Sequence, residues 1–207
     1  TGVKGVKILY DSFFKEIMNP EYAPGRLNQF LSLLIGEKVT IKQVIPNDST
    51  RIAAEGSLLI TDIVVEFEDG ALADIEIQKI GYAFPGERSA CYSADLLLRQ
   101  YKRAREKIQG RNRKFSYKNI KNVYTIVLFE KSPAEIKRLE NAYIHKSFWG
   151  FDTGLELNLL QNFIFIALDI FRKNMEIFHC KRVEKIGIKD MEIPYKDVLH
   201  NKIILKN

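Results

Sequence analysis

The chain has 207 residues, 46% of them apolar, enough for a proper core in one domain or two small ones. Its net charge is +6 and its isoelectric point near 9.2, which favours an anionic partner. Cys91 and Cys180 make no disulfide framework, which suits a reducing, cytoplasmic setting, and the longest apolar stretch, Leu155 to Phe171, is too interrupted by polar residues to cross a bilayer.

The chain opens on Thr1-Gly2 without methionine, as expected of a fragment or an ordered portion of a longer protein, and nothing there resembles a signal peptide. Residues 11–18 read as a short helix stopped by Asn19-Pro20. Pro24 to Leu34 reads as a second helix, with Leu27, Phe30, Leu31 and Leu34 at three- and four-residue spacing and Gly36 as its C-terminal cap. Val39 to Ile45 suggests a strand closed by Pro46-Asn47-Asp48. A hairpin over 58–80 follows, with Asp69-Gly70 as its turn. Glu87 to about Ile108 reads as the longest helix, and Val123 to Phe129 as a buried central strand. Residues 131–142 read as a loop or short helix, and 143–151 and 162–171 as two more strands, with Leu155 to Phe171 taken as buried strand. A core domain over 1–180 is expected, with residues 181–207, Lys-rich and containing Pro194, as a small appendage.

The hairpin carries the chemistry. Side chains alternate along a strand, so Ile75 and Ile77 point one way while Asp74, Glu76 and Gln78 point the other. Asp62 lies on the neighbouring run, and two carboxylates and an amide are thereby aimed at a shared space. Hard divalent cations take oxygen ligands of this kind. The plain alternative is a surface hairpin, since antiparallel strands often carry acids on one solvated face.

Asp62, thirteen residues, Glu76-Ile77-Gln78, then Phe84, Arg88 and Tyr92 resemble the pattern of the PD-(D/E)XK nuclease superfamily. The similarity is closest to its recombination-promoting nuclease and putative transposase branch, where Glu-x-Gln stands for Glu-x-Lys. Asp11-Ser12-Phe13-Phe14-Lys15, Ser132-Pro133-Ala134-Glu135, and Asp152 to Leu157 leading into Phe163 to Ile166 extend the resemblance over about residues 6 to 173. It implies an α/β restriction-endonuclease-like core: a mixed central β-sheet, a hairpin carrying the site, and flanking helices.

The resemblance also implies a DNA endonuclease tied to recombination or a mobile element. Asp62, Glu76 and Gln78 would be catalytic, and Asp62, Glu76 and the Ile77 carbonyl would hold Mg²⁺ or Mn²⁺. Gln78 takes the place of the usual lysine and brings no positive charge, so charge must come from elsewhere. Lys79 alternates to the opposite face, which leaves Lys15 and Arg88 as the better sources. Arg88 and Tyr92 are four apart and share a helix face; the competing role for Arg88 is a surface salt bridge to Glu87 or Asp95. Asp11 and Glu16 are further carboxylates near the start. A catalytically inactive nuclease fold, serving as a nucleic-acid-binding or interaction module, is the rival reading.

A charge block is the second feature. Between Arg99 and Lys121 ten Lys or Arg residues face one acid, Glu106, so this segment carries +9 and the rest of the chain −3. Tyr101, Phe115 and Tyr117 are interleaved as stacking surfaces. DNA is the expected partner, through Lys15, Arg88, Tyr92, Arg103, Arg111, Arg113 and Lys114, with no membrane contact and with a homodimer allowed. Such runs are also often plain solvated helix faces.

Other chemistries find little. His145, His179 and His200 lack metal-ligand spacing, and neither a phosphate-binding glycine loop nor a Gly-x-Ser-x-Gly elbow occurs. Trp149, beside Phe148 and Phe151, is expected to pack in the core or at a sheet edge.

Overall fold

The computed structural model describes residues 24–45, 63–78, 85–109 and 114–174. The chain divides between Ile170 and Phe171 into two units, and the strands and the helices flanking them belong to the first. The expected helix at 11–18 and appendage at 181–207 lie outside the described residues, as do Asp11, Lys15, Glu16, Asp62, Lys79, Phe84, Arg111 and Arg113.

Helix α1 spans Pro24–Ile35. Its Leu27, Leu31 and Leu34 are buried in one stripe, each Leu removed from water contributing about 1.5–3 kcal/mol. Gly36 ends it at φ +95°, donating its N–H to the Ser32 carbonyl, so the expected cap forms where the backbone must turn left-handed. Strand β1 (Ile41–Ile45) precedes the hairpin strands β2 (Ile63–Phe67) and β3 (Leu72–Gln78). Between them Gly70 sits at φ +90° and Asp69 Oδ1 accepts from the Ala71 N–H, fixing the tight turn that Asp-Gly encodes. Helix α2 (Pro85–Gln109) then leads to strand β4 (Val123–Phe129), as the apolar run indicates.

The last part departs from expectation. Helix α3 (Ala134–Lys137) is a single turn, β5 (Ile144–Lys146) has three residues, and β6 is Gln161–Ala167. Leu155 to Phe171 is therefore not one strand: Leu155, Leu157 and Leu159 are exposed before β6, and 168–174 is helical after it. Polar residues within the stretch divide it. Asn158 Oδ1 accepts the Leu160 N–H just before β6, and Asp169 Oδ1 accepts the Ile170 N–H just after it.

The six strands form one sheet in the order β1-β2-β3-β4-β6-β5. β3, β4 and β6 run parallel, while β1 and β2 on one side and β5 on the other pair antiparallel. One face holds the main core, where Leu27, Leu31 and Leu34 of α1 meet Ile63, Val65, Ile75, Ile126 and Ile164. On the other face Leu96 of α2 packs with Val64, Leu72 and Val123. That cover overturns the surface-hairpin alternative. Every residue of β2 is buried, and in β3 all but the half-buried Ile77, so Asp74, Glu76 and Gln78 lie inside the protein.

Candidate active site on strand β3

Cross-strand register sets the stage. Asp74 lies opposite Val64 on β2 and Thr125 on β4, Glu76 beside Val127, and Gln78 beside Phe129. Burying a carboxylate costs several kcal/mol unless partners answer it, so the surroundings of these acids define what they can do.

Glu76 is 4% exposed and Gln78 2%. The Gln78 amide donates to Glu76 Oε1 at 3.2 Å, and the Arg88 guanidinium reaches the same oxygen at 3.5 Å. Two sequence expectations meet here: Glu76 and Gln78 share a face, and Arg88 turns toward them. Arg88 thus pairs inward with Glu76, while Asp95, the other acid weighed for it, pairs with Arg99 at 2.7 Å.

Tyr92 lies one helical turn beyond Arg88, which sits 5.3 Å from the centre of its ring. The phenol is buried, 1% exposed, with its hydroxyl facing the Glu76 carboxylate and the Arg88 guanidinium. Burial first, then the Glu76 charge, push its pKa up to about 12 against the opposing pull of Arg88. At neutral pH it is a neutral donor beside a carboxylate.

Sequence reasoning missed Glu66. It is 1% exposed at the turn end of the same sheet face, and cations converge on it. Lys107 Nζ donates to Oε1 at 2.6 Å, the Gln43 amide to Oε2 at 2.6 Å, Arg103 to Oε2 as well, and Lys42 stands 3.9 Å away. Burial alone would raise its pKa, but the hydrogen bonds from Lys107, Gln43 and Arg103 hold it at about 2. The available signal was an acid inside an apolar strand together with Arg103 and Lys107 four apart, flanking the apolar Ala104 on the helix.

The basic block thus splits. Arg99, Arg103 and Lys107 are engaged with Asp95 and Glu66, whereas Lys102, Arg105, Lys114, Lys118 and Lys121 are exposed. Arg103, expected at the DNA, has its guanidinium on Glu66 and so ties α2 to the hairpin. Ser132 is also accounted for. Its N–H and hydroxyl both donate to Asp169, joining the exit of β4 to the exit of β6, and against the effect of burial they lower the Asp169 pKa. Trp149 packs at the sheet edge, 6.3 Å from Phe163, its indole N–H donating to the Gln161 carbonyl.

The Glu76 carboxylate beside the Gln78 amide offers oxygen donors, the kind a hard cation takes. Among the described residues no group of three or more His, Cys, Asp or Glu is placed to hold a metal ion, and no helix is long and apolar enough to cross a membrane.

A mixed sheet whose hairpin bears an inward carboxylate, flanked by helices on both faces, defines an α/β protein of the restriction-endonuclease-like class. The family described as PD-(D/E)XK nuclease family transposase matches residues 8–186, and the chain belongs to it. No curated protein and no solved structure matches.

Proposed function

We propose that this protein is a metal-dependent DNA endonuclease in which Asp62 and Glu76 supply carboxylates, the Ile77 carbonyl a third oxygen, and Gln78 a positioned amide. The observation that carries the reading is the buried Glu76 carboxylate meeting both the Gln78 amide and the Arg88 guanidinium. Asp62 enters on the sequence pattern, since it lies outside the described residues. A bound Mg²⁺ or Mn²⁺ would lower the pKa of a water nucleophile and polarise the phosphoryl oxygen.

The chain's own residues do the rest. Gln78 donates and accepts hydrogen bonds, and so orients a water without adding charge. Arg88 supplies the charge that the usual lysine would bring, and stabilises the negative charge that develops on phosphate. Lys15 is a second source on sequence grounds. The neutral Tyr92 phenol faces Glu76 and donates toward its carboxylate. Recombination or mobile-element work follows the family description, which names transposases.

One observation favours the rival reading of an inactive nuclease-fold binding module: Glu76 and Gln78 are almost wholly buried and bonded to one another. Nicking of supercoiled plasmid with and without Mg²⁺ decides between them. Metal-dependent nicking that is lost in both Asp62→Ala and Glu76→Ala, with folding intact, supports the endonuclease. DNA binding with no nicking under any divalent cation selects the rival.

A further inference from the structure

We propose that Tyr117 heads a stacking platform for unpaired bases of single-stranded DNA, an inference that rests on DNA being the partner. Tyr117 is 76% exposed, yet its ring is held in place. Tyr101 lies nearly parallel to it at 6.4 Å and 21°, and Phe115 meets both rings edge-on at 5.5 Å. The backbone under the ring is a short 3₁₀ turn, Tyr117–Asn119, closed by a reciprocal capping box between Ser116 and Asn119. Arg105 sits 5.6 Å from the Tyr101 ring centre and donates to its hydroxyl at 3.1 Å.

An aromatic ring left in water exposes apolar surface without return unless something covers it. Here the ring is oriented in advance, which removes most of the ordering cost of stacking. Charge complementarity selects the occupant. Lys102, Arg105, Lys114, Lys118 and Lys121 are exposed in the same stretch of chain, and the one acid among them is Glu106. A basic surround with stacked aromatics suits a phosphate backbone with accessible base faces, and a base face is accessible only when unpaired. Tyr101 also stands thirteen residues along α2 from Arg88, about 20 Å at 1.5 Å per residue. The platform is therefore separate from Glu76.

The test is anisotropy of labelled oligo-dT of about 15 nucleotides, and of a matched duplex, in EDTA so that cleavage plays no part. Wild type is expected to bind both. Tyr117→Ala should weaken oligo-dT binding about 5- to 150-fold, from a stacking contribution of about 1–3 kcal/mol per base, and leave the duplex within twofold. Tyr117→Trp should retain binding and show quenching of its indole fluorescence by oligo-dT. Lys118→Glu should weaken both ligands. If Tyr117→Ala binds oligo-dT like wild type, the platform is refuted while the endonuclease reading stands. If wild type binds neither ligand, the DNA reading falls and the platform with it.

Discussion

Two glutamates on one face of the same hairpin, Glu66 and Glu76, are both buried and have opposite surroundings. Glu66 is gripped by Lys107 and Gln43 at 2.6 Å and by Arg103 from the same helix. Glu76 meets Gln78 at 3.2 Å and Arg88 at 3.5 Å. Short charge-assisted contacts occupy the carboxylate oxygens and tie three elements together, so Glu66 reads as a fastening. Longer contacts are exchanged at lower cost, which is what an oxygen donor needs if substrate or cation is to share it. Burial does not distinguish the two acids; the lengths of the contacts described for each do.

That contrast breaks most sharply in a paired substitution. Glu76→Ala should abolish plasmid nicking, a loss of about three orders of magnitude or more, with a melting temperature near wild type. Glu66→Ala leaves Arg103 and Lys107 without their carboxylate and should cost about 2–3 kcal/mol. The figure is below the ~3–5 kcal/mol of a wholly buried pair because both cations keep water contact. In a chain this size that is a fall in Tm of about 4–12 °C, read by thermal denaturation, with nicking preserved at low temperature. Glu66→Ala that abolishes nicking at full stability would reverse the two roles.

Smaller effects sharpen the Glu76 side. Gln78→Ala and Arg88→Ala should each lower turnover about 10- to 1000-fold, as loss of one positioned group does. Gln78→Lys should retain activity, since an ammonium there pairs with Glu76 and restores the charge that Arg88 otherwise supplies. Single-turnover nicking rates measure all three. Equal rates for wild type and Gln78→Ala would remove the amide from the mechanism.

Local patterns in the sequence carried much of the architecture. The stripe of Leu27, Leu31 and Leu34, the Asp69-Gly70 turn and the apolar run Val123 to Phe129 each encode their own element, and each forms as read. The shared face of Glu76 and Gln78 was legible for the same reason, because alternation is local. The Arg103–Glu66 and Lys107–Glu66 contacts were not: 37 and 41 residues separate the partners, and only the docking of α2 on the sheet brings them together. The division of Leu155 to Phe171 was hidden likewise, since apolar content does not record where hydrogen bonds from Asn158 and Asp169 interrupt a strand.

The mildest expected effect is an acid-limb difference that isolates Glu66. In the folded protein its pKa is held at about 2, below the ordinary glutamate value of about 4.3. On acidification the unfolded chain therefore takes up this proton first, so stability present above about pH 4.3 is lost as pH falls toward 2. Between pH ~5 and ~3 the contribution is about 1–2 kcal/mol, on top of whatever the other carboxylates add. Glu66→Gln keeps the shape and an acceptor oxygen but has no proton to bind. Urea unfolding across that range should give the Gln variant the shallower fall, with the gap between the two proteins narrowing as pH drops toward 2. Parallel curves would mean that Lys107 and Arg103 do not hold the Glu66 charge in solution, and the distinction between a fastened and a working carboxylate would lose its first half.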